Sequence, residues 1–403
     1  MANHLVGSFQ LMKSLNKTLI LNVIRTDGPI SRAEIAKKTN LTPPTVTNIV
    51  SELISSGLVI ERNLGESKGG RKPIMLTINT SAFHVVGVDV GSRQISIVVT
   101  DLNASVFESH QVDLPHPLSE GRFMTLLKNG IRTVMDKPLK EGSIVGIGIG
   151  MHGLVNPDKG VAIFAPNLNL RNMALREQLE AEFHVPVEVD NDVRAMALGE
   201  SWFGNGRGID NFICVNVGNG VGAGIILDQK LFRGASFTAG EVGHTTVDPD
   251  GPPCTCGNNG CLQTLVSGPA VAARAREQIQ AGRSSVLEGK DITGEAIYHA
   301  ALEGDALALD ILRQTGRYLG IGLANLINTL NPERVIVGGG VAKAAQFIMG
   351  PLKDTVAARA LDTPARSTTI VTAKLGDQAT VIGAVTLVLR KLFTPEYSQS
   401  DVS

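Results

Sequence analysis

The sequence predicts a mixed α/β chain in two parts: a small helical head finished by two strands, and a larger α/β body built as two similar halves. Three observations predict it. Apolar residues recur at helical spacing up to about residue 54. From Phe83 the texture changes to short buried strands that end in glycine. One strand, glycine turn and strand pattern then occurs twice.

The head comes first. Leu15, Leu19, Ile20, Val23 and Ile24 keep helical spacing, so a helix spans roughly Met12 to Thr26 and stops at Asp27-Gly28-Pro29. Ser31 and Glu34 have capping-box spacing and open a second, short helix. After Asn40 and Leu41, Thr42 caps a third helix with Pro43 at its first position, where a missing N–H costs nothing. Val46, Ile49, Val50, Leu53 and Ile54 form its buried stripe, and Gly57 ends it. The last two helices, joined by a tight turn, make a helix-turn-helix pattern.

The opposite face of the third helix offers Thr45, Thr47 and Asn48, with Thr42 at its start. These small polar side chains suit base edges and phosphates. Leu58–Ile60 and Ile74–Ile78 read as strands flanking a loop, ESKGGRKP, whose Lys68, Arg71 and Lys72 can enter a minor groove. The whole stretch is similar to the winged helix-turn-helix of many bacterial repressors. Charge agrees: residues 1–80 hold ten Lys or Arg against five Asp or Glu, whereas the rest holds 27 against 33. A basic head on an acidic body suits a polyanion, here double-stranded DNA, that meets only the head.

Composition narrows the body. The chain is 43% apolar and 19% charged, with 44 glycines, which fits a soluble α/β protein. One Trp and three Tyr argue against a stacking platform for single strands. No apolar run reaches membrane-spanning length, and the N-terminus lacks a signal core. With Cys214 standing apart from the other cysteines, a reducing cytoplasm is expected.

In the body, Val85–Gly91 and Ile95–Thr100 form the first strand, turn and strand; Phe212–Gly218 and Gly222–Leu227 form the second. Asp89 thus corresponds to Asn216 and Gly91 to Gly218. Glycine turns let backbone N–H groups approach phosphates. The duplication resembles the two-lobed actin-like, hexokinase-like (ribonuclease H-like) ATPase fold, whose lobes clasp a ligand in their cleft. Expected units are 1–80, 81–195 and 196–403, with the C-terminal segment returning to the first lobe.

Further pieces follow in order. Val145–Gly150 reads as a strand, Met151–Pro157 as a turn and Ala165–Leu168 as a polar loop carrying Asn167. Val187–Asp190 is a strand leading through Asn191 and Asp192 into a helix. Carboxylates and amides there can hydrogen-bond vicinal hydroxyls, and one Asp can act as a base on a hydroxyl. Val335–Gly340 is a last strand and glycine turn.

Between them runs EVGHTTVDPDGPPCTCGNNGCLQ, Glu241 to Gln263. His244, Cys254, Cys256 and Cys261 make a Cys₃His set of the kind that holds structural zinc. Gly251, Pro252, Pro253, Gly257 and Gly260 argue against a long helix or strand here, so a metal would hold the segment in shape.

Glu241-x-x-His244 followed by Cys254-x-Cys256-Gly-x-x-Gly-Cys261-Leu resembles the signature of the ROK family of repressors, open reading frames and kinases. Members with a winged head are sugar-responsive transcriptional regulators, among them xylose, glucose and N-acetylglucosamine repressors; members without one are mostly sugar kinases. The resemblance implies zinc on His244, Cys254, Cys256 and Cys261. It also implies a sugar or sugar phosphate near Asn167, Asn191, Asp192, Glu241 and His244, with Gln263 where the family has Glu. Asp192 matches the catalytic base of the kinases.

Three departures weigh against catalysis. The first phosphate turn of the kinases, Asp-x-Gly-Gly-Thr-Lys, is Asp89-Val-Gly-Ser-Arg93-Gln94 here. Gly-Thr-Gly is Gly218-Asn219-Gly220, and Gln263 is neutral. Losing hydroxyls that face phosphate weakens stabilisation of transition-state charge. The expectation is a repressor of carbohydrate genes, a homodimer or tetramer, that keeps the pocket as a sensor and does not use ATP. A sugar-transport protein is the alternative effector. An ATP-dependent, glucokinase-like sugar kinase with an attached DNA-binding head is the alternative function.

Overall fold

The computed structural model describes residues 9–64, 73–137 and 142–393. The head holds α1 (Phe9–Asp27), β1 (Ile30–Ser31), α2 (Arg32–Thr39), α3 (Pro43–Ser55), β2 (Val59–Leu64) and β3 (Ile74–Ile78). Its sheet runs β1-β3-β2, antiparallel throughout. The strand β1 is too short to leave a periodic signature, and the sequence gives no hint of it. Ser31 and Glu34 form the expected capping box, and Asn40 turns the chain between α2 and α3 in the left-handed conformation at φ 56°. Ile20, Ile24, Ile35, Val46, Val50, Leu53 and Leu76 close the core of the head. The loop carrying Lys68, Arg71 and Lys72 lies outside the described residues.

The first half of the body holds β4 (Phe83–Val90), β5 (Gln94–Thr100), β6 (Val106–Asp113), α4 (Glu120–Met135), β7 (Ser143–Met151), β8 (Leu154–Asn156), β9 (Val161–Ala165), β10 (Leu170–Ala174), α5 (Leu175–Phe183) and β11 (Val187–Asn191). Next comes α6 (Asp192–Phe203). The second half holds β12 (Phe212–Val217), β13 (Val221–Leu227), β14 (Lys230–Phe232), α7 (Leu262–Val266), α8 (Gly268–Gln280), α9 (Gly294–Leu302), α10 (Ala306–Leu330), β15 (Arg334–Gly338), α11 (Ala345–Arg359), α12 (Asp362–Ser367), β16 (Thr369–Thr372) and α13 (Ala379–Phe393).

The two main sheets have one plan. Their strand orders are β6-β5-β4-β7-β11 and β14-β13-β12-β15-β16. In each, three consecutive strands meander antiparallel, a fourth joins the first of them in parallel and a fifth joins the fourth in parallel, through connections that contain helices. Asp89 and Asn216 occupy equivalent places near the ends of the central strands β4 and β12.

Two expectations differ. Met151–Pro157 is not only a turn, because β8 joins β9 and β10 in a small antiparallel sheet. The Ala165–Leu168 loop contains a 3₁₀ turn, Pro166–Leu168, pinned by buried Leu168. Strands of three to five residues without strict alternation carry too little pattern to be told from turns.

Between the main sheets lie α6 and α13. They pack on each other, and α13 also covers β4, β7 and β11. The packing explains the Gly-Ile-Gly-Ile-Gly run in β7. Ile147 and Ile149 face the core under α4, while Gly148 faces α13, where a β-carbon would collide with the Ala384 carbonyl. Gly383 of α13 likewise meets the Ala195 carbonyl of α6.

Candidate functional site

A cleft of about 830 Å³ opens where the two halves face each other. Asn167, Asn191, Asp192, Glu241, His244 and Gln263 all line it, together with Asp89, Ser92, His152, Asn219 and Thr380. All six residues expected at a sugar site are therefore gathered from four separate stretches of chain.

Strand β11 delivers Asn191 and Asp192 to the mouth of α6. Asn191 is the N-cap: its Oδ1 accepts from the N–H of Val193 at 3.0 Å and of Arg194 at 3.1 Å. Its Nδ2 donates to the Gly153 carbonyl at 3.0 Å and to Asp192 Oδ1 at 2.7 Å. The amide's two donors and two lone pairs are thus engaged inside the protein. Asn191 holds Asp192 in place, and Asp192 presents its carboxylate to the cleft.

Beneath them Asp190 is fully buried and pairs with Arg194 Nε at 2.8 Å and with Arg233 Nη2 at 2.8 Å. It also accepts from the Asn191 N–H at 2.8 Å. A buried carboxylate is tolerable only with such partners.

His152 carries no motif in the sequence, and only the β7–β8 turn reveals it. Its Nδ1 is 3.6 Å from Asp192 Oδ2, and its Nε2 is 2.9 Å from Asn167 Nδ2. Burial works against its proton, but the close Asp192 carboxylate and the charges of Asp89 and Glu241 outweigh it and raise its pKa. Burial, with Asp192 nearby, pushes Asp89 up to about 7, and His152 only partly offsets this. The floor of the cleft therefore gathers the polar groups of His152, Asp192, Asp89 and Asn167, a surface suited to polyhydroxyl ligands.

At the other end, Asn219 Nδ2 reaches across from the second half to Ser92 Oγ at 2.8 Å. Arg93, expected to replace a phosphate-facing threonine, is exposed and is not among the cleft-lining residues. Ser92 supplies a hydroxyl to the cleft instead.

The Glu241–Gln263 stretch forms one wall. The ligand atoms of His244, Cys254, Cys256 and Cys261 lie within 4.8 Å of one another. His244 Nδ1 is 3.6 Å from Cys254 Sγ, and Cys256 Sγ is 3.6 Å from Cys261 Sγ. A tetrahedron with zinc-like bond lengths has N–S and S–S edges of about 3.6 and 3.8 Å. Burial and the neighbouring sulfurs push the Cys261 thiol up. Hydrogen bonds from the Cys256 backbone and from Gln263 draw Cys254 down against burial. Thiols this crowded can ionise together only around a cation, so the set can hold a metal ion.

With Nδ1 facing the sulfurs, His244 Nε2 points toward Glu241 Oε2 at 4.0 Å. Gln263 lines the cleft and also reaches the cysteines. Its Nε2 donates to Cys254 Sγ at 3.2 Å, which a carboxylate could not do.

In the head, Thr42 Oγ1 accepts from the Thr45 N–H at 3.4 Å and lies 2.8 Å from Thr45 Oγ1. These two residues serve the cap of α3, and Thr42, Thr47 and Asn48 are exposed.

Comparison with known proteins agrees with this geometry. The ROK family profile matches residues 85–391, and a winged helix-turn-helix DNA-binding profile matches residues 15–60. The chain belongs to the ROK family. It is 35% identical to a xylose repressor of Caldicellulosiruptor bescii over 399 residues, covering 98% of this chain and all of that one. It is 34% identical to the DNA-binding transcriptional dual regulator NagC of Escherichia coli, covering 96% of this chain and 95% of the other. A solved ROK family transcriptional regulator, a homolog of the E. coli MLC protein, superposes with a TM-score of 0.86 at 31% identity, covering 95% of this chain and 97% of that one. A ROK glucokinase from Streptomyces griseus, solved with glucose and AMPPNP, matches at a TM-score of 0.67 and 33% identity, covering 75% of this chain and 98% of that one. No helix among the described residues is long and apolar enough to cross a membrane.

Proposed function

We propose that this ROK protein is a sugar-responsive transcriptional regulator, a repressor of carbohydrate-uptake or catabolism genes. One observation carries the reading: a winged helix-turn-helix head is joined to a body whose polar cleft floor and metal-ligand wall line one cavity. Full-length similarity to named repressors supports it.

In this reading residues 1–80 bind double-stranded operator DNA through α3, with Thr47 and Asn48 toward bases and the Lys68, Arg71 and Lys72 loop toward a groove. The chain acts as a homodimer or tetramer, so that two heads meet a two-fold operator. The halves 81–195 and 196–403 close on a monosaccharide or sugar phosphate. Asp192, Glu241 and His244 accept or share its hydroxyl protons, Asn167 donates, and Asn191 positions Asp192. His244, Cys254, Cys256 and Cys261 would hold a structural zinc, which would fix the wall, while the His244 ring keeps Nε2 toward Glu241. Gln263 orients Cys254 from outside that ligand set.

The experiment is a thermal-shift and operator-binding screen of common monosaccharides and their 6-phosphates. One of them should raise the Tm and change operator affinity, and Asp192→Asn should abolish both effects. If the whole panel leaves both unchanged, the small-molecule reading fails and a sugar-transport protein becomes the preferred effector.

A kinase reading has one observation in its favour: Asp192 stands open to the cleft beside His152, in a fold shared with a glucokinase. Steady sugar-dependent ADP release that Asp192→Asn abolishes would establish it.

A further inference from the structure

Arg25 of α1 lies against two aromatic rings of the body. Its guanidinium carbon is 4.1 Å from the Trp202 ring centroid and 5.5 Å from that of Phe393. The two rings meet edge-on at 5.9 Å. One turn earlier on α1, Asn22 Nδ2 donates to the Phe393 carbonyl at 2.7 Å. The Arg25 Nη2 reaches Asn22 Oδ1 at 3.4 Å, and its buried Nε has no hydrogen-bond partner among the described residues. The cation is therefore held largely by ring faces, an attraction that depends on how the rings are presented.

Both rings sit at the far ends of helices that begin in the cleft. Helix α6 opens with the Asn191 cap and Asp192 and carries Trp202 in its last turn. Helix α13 has Thr380 on the cleft in its first turn and ends at Phe393. The twelve residues of α6 span about 18 Å, the distance a signal must travel. Where the helices cross, Gly383 leaves no room for a β-carbon against Ala195, and Gly199 packs on Ala379 and Gly383. Such close backbone contact makes the pair move as one body, because packed interiors transmit displacement and do not absorb it.

We propose that Arg25, Trp202 and Phe393 form the joint through which occupancy of the cleft resets the DNA-binding head. A ligand that draws on Asp192 displaces the start of α6, and the paired helices carry that displacement to the two rings that grip Arg25. The inference rests on reading the head as a DNA reader and the cleft as an effector site. It adds three residues that touch neither ligand. Coupling between sites is reciprocal, so DNA on the head must also be felt at Asp192.

That reciprocity gives a test that needs no sugar. The full-length protein is mixed with a duplex that it has itself selected from a random pool. Hydrogen exchange is followed at the amides of residues 190–196, and fluorescence is followed at Trp202, the chain's one tryptophan. In the native protein DNA should change both signals. Arg25→Met should still bind the duplex but lose the exchange response, and Arg25→Lys, which keeps a cation over the rings, should restore it. Arg25→Gln is the second neutral variant should the first not fold.

No exchange response in the native protein, or a full response in the neutral variants, would overturn the joint. The sugar panel forms a separate arm. A sugar that shifts duplex affinity in the native protein by about fivefold or more should bind Arg25→Met equally well yet shift it hardly at all. If no sugar binds, the effector reading fails, while the DNA arm still decides the joint.

Discussion

Replacing Asp89 by Asn should make the protein more stable at alkaline pH and leave it nearly unchanged in acid. The carboxyl is held at about 7 in the folded chain against an ordinary value of 3.8, first by burial and then by Asp192. Below the ordinary value both states keep the proton and the site costs nothing. As pH rises, the unfolded chain ionises while the folded one resists, so stability drains away until the folded carboxyl also ionises near pH 7. The gap of about three units corresponds to roughly 4 kcal/mol, a ceiling because solvent in the cleft screens part of it. Asparagine keeps the shape and carries no charge.

The assay is urea unfolding followed by circular dichroism at pH 4.5 and pH 8.5, with Asp89→Asn and native chains side by side. The variant should gain little at the lower pH and a few kcal/mol at the higher. Asp89 also helps hold the proton on His152, so the variant should shift the titration of that ring toward its ordinary value. An equal gain at both pH values, or a loss at pH 8.5, would refute the picture of a carboxyl forced to keep its proton.

Four other outcomes follow. Cys256→Ser should release the bound metal and lower the Tm, read by elemental analysis and thermal melting; normal metal content would show that the ligand set is wrong. Asp190→Ala strands Arg194 and Arg233, so it should cost about 3–5 kcal/mol in urea unfolding, and a cost under about 1 kcal/mol would mean those pairs hold little together. Asn48→Ala should cost about 1–3 kcal/mol on the selected duplex and little on random DNA. Arg71→Ala should weaken both alike and flatten the salt dependence by about one phosphate contact, with anisotropy titrations separating the two.

What could be read from the residues alone depended on how locally each feature is encoded. The Ser31–Glu34 box and the Thr42 cap followed by Pro43 are complete within a few residues, and both stand where they were expected. The twofold strand plan was visible because Asp89-x-Gly91 and Asn216-x-Gly218 repeat a short pattern. The sheet β8-β9-β10 was not visible, since its strands are too short and irregular to set a period.

Side-chain roles fared in the same way. Sequence spacing identified the Cys₃His set, whose members lie within 18 residues of one another. It could not identify His152, whose partners Asp192 and Asn167 meet it only after three strands assemble. Nor could it show that Asn191 is spent on its own helix, or that Gln263 turns its amide to Cys254. Those facts depend on orientation, which spacing does not carry.

The glycines between β7, α6 and α13 bear on how a mutational survey of this protein should be read. No proposed DNA, sugar or metal contact is made by Gly148 or Gly383, yet each is pressed against a backbone carbonyl that cannot retreat. Saturation mutagenesis would score them among the least tolerant positions, beside Asp192 and the cysteines. Intolerance at these two places would record a clearance too small for one methyl group, and a map of sensitivity drawn without the structure would mistake it for recognition.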